Sequence, residues 1–98
     1  MPMTTRLELV KANNAAIKAA VMRRKGLSVA VFGSVARGEE TSESDIDFLV
    51  EFSRDVSLFD IGGLQVELSE LLGMPVDVIS TRGLRPTDNE IREDAIAL

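Results

Sequence analysis

Residues 44–52 read Ser-Asp-Ile-Asp-Phe-Leu-Val-Glu-Phe, and the fold turns on how they are read. Ile46, Phe48, Val50 and Phe52 fall on one face of an extended chain, and Asp45, Asp47, Leu49 and Glu51 on the other. A period of two is that of a β-strand with one buried face. Aspartate is a poor strand former. Two of them at the opening of a strand are either its solvated face or part of a site.

Downstream, Ser57 and Asp60 have capping-box spacing. Leu58, Ile61, Leu64, Leu68, Leu71 and Leu72 then recur at helical intervals until Gly73 and Pro75 stop them. Gly62-Gly63 weakens this helix by about 1 kcal/mol per glycine, a cost that close packing against the sheet would explain. Val76 to Ser80 forms another strand, with Val76 and Val78 on one face and Asp77 and Ile79 on the other. Strand, helix, strand is a unit whose strands run parallel with a right-handed crossover. Asp45, Asp47 and Asp77 therefore come to one end of the sheet, on the face away from the helices.

Upstream, Ser28 to Phe32 is a short apolar strand broken by Gly33-Ser34. Its connection to the Asp45 strand is short, so these two strands are antiparallel and Gly33-Ser34 joins the acidic end. Ser34 to Arg37 fits a helical turn closed by Gly38. Thr5-Arg6-Leu7-Glu8 reads as a capping box, followed by Leu7, Val10, Ile17 and Val21 at helical spacing and Gly26 as the stop. Arg23, Arg24 and Lys25 in the last turn complement the helix dipole, and Lys11, Lys18 and Lys25 form one solvated stripe. Thr87 and Glu90 predict a last short helix through Ile91 and Ile96. The expected fold is α+β (mixed α/β), a small mixed sheet of three strands with helices on one face. One domain is expected over 1–98, with an N-terminal helix in 1–26 and the motif-bearing core in 27–98.

The composition narrows the chemistry. The chain has 98 residues, 45% hydrophobic and 28% charged, with no Cys and no His. Disulfide scaffolds, thiolate zinc sites, imidazole bases and Ser-His-Asp triads are excluded. No apolar run approaches the ~18 residues of a membrane span, and the N-terminus lacks the apolar stretch of a signal peptide, so a cytoplasmic protein is expected. A net charge of −5 argues against duplex nucleic acid as partner. Three close carboxylates repel one another unless a cation sits among them. Mg²⁺ suits such a place, using one or two carboxylates together with phosphate oxygens and water. Gly33 permits a sharp turn beside them, and backbone N–H groups of the turn from Ser34 would suit a phosphate. Together these are the parts of phosphoryl or nucleotidyl transfer. Taken singly, Asp77 is also a plain strand-opening residue, Ser34 a helix N-cap and Arg37 a surface cation.

Gly33-Ser34, ten residues, then Asp45-Ile46-Asp47 resembles the signature of the DNA polymerase beta-like nucleotidyltransferases. The longer strings Phe32 to Gly38 and Ser44 to Val50 resemble their minimal nucleotidyltransferase (MNT) branch, and the likeness runs through about 27–98. The resemblance implies that Asp45 and Asp47 are metal ligands and that Asp77 is the third carboxylate, ligand or base. It implies that Gly33 and Ser34 contact the β- and γ-phosphates of ATP, with Arg37 as a helper, and that Mg²⁺ is required. Small chains of this kind resemble antitoxins of HEPN-domain ribonuclease toxins, which implies AMP transfer to a hydroxyl of that partner. Two other outcomes stay open: a binding module that neutralises a partner without turnover, and small-molecule nucleotidyl transfer. No separate acceptor-choosing domain is expected, so a partner or oligomer is expected to choose the acceptor, and the sequence has no Trp or Tyr platform for single strands.

Overall fold

The computed structural model describes residues 5–33, 36, 45–83 and 95–98. In chain order the elements are α1 (Arg6–Ala12), α2 (Asn14–Arg23), β1 (Gly26–Phe32), β2 (Ile46–Phe52), α3 (Leu58–Leu72), β3 (Val76–Ser80), a 3₁₀ turn (Thr81–Gly83) and β4 (Ile96–Ala97). The fold is α+β, with a sheet ordered β3-β2-β1-β4.

Both capping boxes form. The Thr5 hydroxyl accepts from the Glu8 N–H while the Glu8 carboxylate accepts from the Thr5 N–H, and Ser57 and Asp60 repeat the exchange at the start of α3. Gly73 ends α3 in the left-handed conformation, φ 69°. The sequence predicts one helix continuous to Gly26, but the structure divides it into α1 and α2. It breaks at Asn13, whose side-chain amide donates to the Leu9 carbonyl at 2.9 Å and so offers the backbone an alternative to the helix. The left-handed residue after α2 is Lys25, φ 65°, and Gly26 already belongs to β1. Gly26 is there for space: a Cβ on it would meet Val21 Cγ1 at 2.2 Å and the Val21 carbonyl at 2.8 Å. Glycine is what lets the chain double back from α2 into β1.

β1 and β2 are antiparallel, and β2 and β3 parallel in register Ile46 to Val76, Asp47 to Asp77 and Phe48 to Val78. Val29 and Val31 of β1, Ile46, Phe48, Val50 and Phe52 of β2 and Val76 of β3 are buried against Val10, Ile17, Val21, Leu64, Leu68 and Leu72 of the helices. The core therefore lies on one face of the sheet, as the alternation in β2 requires.

Three further expectations change. A fourth strand, β4, pairs antiparallel with β1 and contains Ile96, which was expected in a helix. The rest of that expected helix, Thr87 to Ile91, lies outside the described residues. The paired glycines of α3 do not serve the sheet: nothing stands within 4 Å of a Cβ on Gly62, whereas one on Gly63 would strike the Arg24 guanidinium at 2.3 Å. Finally, the basic end of α2 is tied to acids. Arg23 and Arg24 pair with Glu67 of α3, and Lys25 pairs with Asp55 at 3.2 Å and lies 4.0 Å from Asp60.

Candidate active site

The site grows from register. Phe32, the last residue of β1, lies opposite Asp47, and Asp47 lies opposite Asp77. These three form one row across three neighbouring strands, which run about 4.8 Å apart. Asp45 precedes β2 by one residue and Gly33 follows β1 by one. All three predicted carboxylates and Gly33 are thus at the same end of the sheet. Ser34 and Arg37 lie outside the described residues.

Gly33 has φ +74°, and a Cβ on it would stand 2.8 Å from Asp47 Oδ2. Glycine is needed twice, for the left-handed backbone and for the approach of the carboxylate. The spacing of the sequence motif has a physical reading here: the end of one strand is folded against the acid that opens the next.

Asp45 and Asp77 are exposed and Asp47 is half-buried. Burial, with Phe32 directly opposite, pushes the Asp47 carboxyl above its ordinary value of 3.8, and the charges of Asp77 and then Asp45 push it further. Both causes disfavour the ionised form. A bound cation would reverse the second. Among the described residues no three acidic side chains form a ready-made metal cage. Mg²⁺ keeps waters and takes substrate phosphate oxygens beside one or two carboxylates. The donor set is all oxygen, its charges repel, and a glycine-opened space adjoins it, so the residues fit a hard cation arriving with a nucleotide.

A cleft of ≈ 360 Å³ opens between α3 and the starts of β2 and β3, lined by Asp45 and Asp77 and by Gln65, Val66, Ser69 and Glu70. Sequence reasoning did not find it. On a helix, Gln65, Ser69 and Glu70 look like any solvated face, and only the packing of α3 shows that they border the acids.

Residues 15–97 match the nucleotidyltransferase domain family, and the chain belongs to that family. A protein adenylyltransferase, MntA, of Thermococcus cleftensis is 37% identical over 80 residues, covering 81% of each chain. A Methanocaldococcus jannaschii protein assigned as a protein adenylyltransferase is 48% identical over 56 residues, which span 57% of this chain and 60% of that relative. Among solved structures, one described as a minimal nucleotidyltransferase superimposes with a TM-score of 0.85 at 41% identity, covering 94% of this chain and 95% of that one. A tri-AMPylated Shewanella oneidensis HEPN toxin in complex with its MNT antitoxin shares the fold, with a TM-score of 0.68 at 18% identity over 89% of this chain and 69% of that one.

Proposed function

We propose that this chain transfers AMP from ATP to a hydroxyl of a protein partner, with Mg²⁺ required, and that the partner is a HEPN-domain toxin which the transfer neutralises. The observation that carries the reading is the row Phe32–Asp47–Asp77 with Gly33 folded against Asp47. Likeness to a protein adenylyltransferase over four-fifths of the chain supports the choice of AMP and of a protein acceptor. The shared fold of an MNT antitoxin complexed with a HEPN toxin supports the partner.

In this reading Asp45 and Asp47 would hold Mg²⁺, which would supply neutralisation of phosphate charge and electrophilicity at the α-phosphorus. Gly33 and Ser34 receive the triphosphate tail, and Arg37 assists. The acceptor oxygen bonds to the α-phosphorus as the bond to the β-phosphate bridging oxygen breaks. Pyrophosphate leaves, and the hydroxyl proton passes to the Asp77 carboxylate. The reading treats 1–98 as one catalytic domain acting in the cytoplasm; no helix among the described residues is long and apolar enough to cross a membrane.

The test mixes the chain with a HEPN-domain toxin, ATP labelled at the α-phosphate, and Mg²⁺. Label on the partner, lost in Asp45→Asn/Asp47→Asn, supports transfer. Neutralisation without label, retained by the double variant, would instead show a binding module.

A further inference from the structure

The two glycines inside α3 need separate reasons, and the fold supplies only one. A Cβ on Gly63 would strike the Arg24 guanidinium, whereas nothing stands within 4 Å of one on Gly62. Glycine in a helix interior costs stability relative to alanine, and at Gly62 no contact among the described residues offsets it. The helix surface around it is apolar and open. Phe59 is 90% exposed, Leu58 86% and Val66 59%, although Leu64, Leu68 and Leu72 of the same helix already face the core. A helix apolar on both sides is one that is covered on both sides.

What covers it is argued from the pattern itself. Phe59, Gly62 and Val66 stand at i, i+3 and i+7 and so share one outward stripe. The stripe reads alike in both directions: Phe59 lies three residues before Gly62, and Val66 three after Gly63. A two-fold axis through the glycine pair sets Phe59 of one protomer on Val66 of its partner, twice. Glycine facing glycine lets the two helices approach closely. The antiparallel crossing also carries Glu70 of each copy towards the positive end of the other α3. The area agrees. Leu58, Phe59 and Val66 present on the order of 300 Å² of apolar surface per protomer. That is most of the apolar share of a small interface of about 600 Å² per partner, about 65% apolar.

We propose that α3 is a dimerisation helix, on which a second copy of this chain packs its own α3 antiparallel across Gly62-Gly63. Val66 also lines the cleft that holds Asp45 and Asp77, so the dimer brings the partner's Phe59 to the rim of that cleft. The surface contains none of the groups assigned to Mg²⁺ or ATP, so it stands or falls apart from the proposed transfer.

Sedimentation equilibrium of the chain alone tests it. Between about 1 and about 300 µM the mass is expected to rise from one chain to two, with a dissociation constant on the order of 10 µM. Gly62→Gln puts a better helix former into open space, so at low concentration it should melt above the parent. Its dimer should nevertheless be at least about tenfold weaker, because the longer side chain holds the helices apart. A higher melting temperature with a lost dimer separates a blocked contact from a damaged fold. Phe59→Glu, at a position the fold leaves exposed, should weaken the dimer as much. In a mixture of ¹³C-labelled and unlabelled chains, isotope-filtered NMR should place the Phe59 ring of one protomer beside the Val66 methyls of its partner. A single-chain mass throughout the range overturns the proposal, as does parent-like dimerisation of either variant or an interprotomer contact confined to another surface.

Discussion

At the scale of single residues, Asp47 and Gly33 carry the most testable physics. Folding raises the Asp47 carboxyl above 3.8 by burial and by Asp77 and Asp45. The folded state then binds more protons than the unfolded one in the window above 3.8, so stability falls as pH rises through it. Asp47→Asn removes that penalty. Without metal, the variant is expected to melt above the parent at pH 7, with the difference closing as pH falls below about 4. A lower melting temperature at pH 7, measured by calorimetry, would mean that the carboxylate supports the fold. Gly33→Ala acts in the opposite direction. It places an ordinary residue at φ +74°, at a cost of about 1–2 kcal/mol, and pushes the Asp47 carboxylate aside. Denaturant unfolding should show the loss of stability. Transfer should fall about 100-fold, as expected for a group misplaced by about an ångström; an unaltered rate would remove Gly33 from the site. Both residues were legible in the sequence, because a glycine before a fixed gap and two aspartates at alternate positions each violate what an ordinary strand prefers. The raised carboxyl was legible only in part: mutual repulsion followed from topology, but burial beside Phe32 required the register.

At the scale of elements, local codes explain most of what could be read in advance and long-range packing most of what could not. The two capping boxes, the glycine stop of α3 and the alternation in β2 depend on residues within four positions, and all formed. Ser57→Ala removes the acceptor for the Asp60 N–H, now held at 3.2 Å, and should cost about 1 kcal/mol. Chemical denaturation is the check, and an unchanged midpoint would mean that α3 is held by its leucines alone. Asp60 itself is held below its ordinary range, first by the Ser57 N–H, so its contribution is present above 3.8 and lost as pH falls through the lowered value. That slope opposes the one from Asp47. Elements whose cause is distant were misread. β4 has two residues, too few to show a period, and exists through pairing with β1. Gly26 looked like a helix stop, yet its reason is the Val21 side chain and carbonyl. Gly63 makes room for Arg24, 39 positions earlier in the chain. Such reasons are three-dimensional and leave no local mark.

At the scale of the whole molecule, the account rests on one sheet end collecting groups from three segments: Gly33 after β1, Asp45 and Asp47 at β2, and Asp77 in β3. The helices occupy the other face, so the acids are left open without exposing the core. The central claim is that this end binds nucleotide and divalent cation together. Its most direct measurement is a calorimetric titration of the chain with ATP, in Mg²⁺ and in EDTA, for the parent and for Asp45→Asn/Asp47→Asn. Three acids repel a free triphosphate, and a shared cation turns repulsion into a bridge. The account predicts at least roughly tenfold tighter binding in Mg²⁺ for the parent, a difference of about 1.4 kcal/mol, and no such gain for the double variant. Equal affinity in Mg²⁺ and EDTA, or an undiminished gain in the variant, would contradict it.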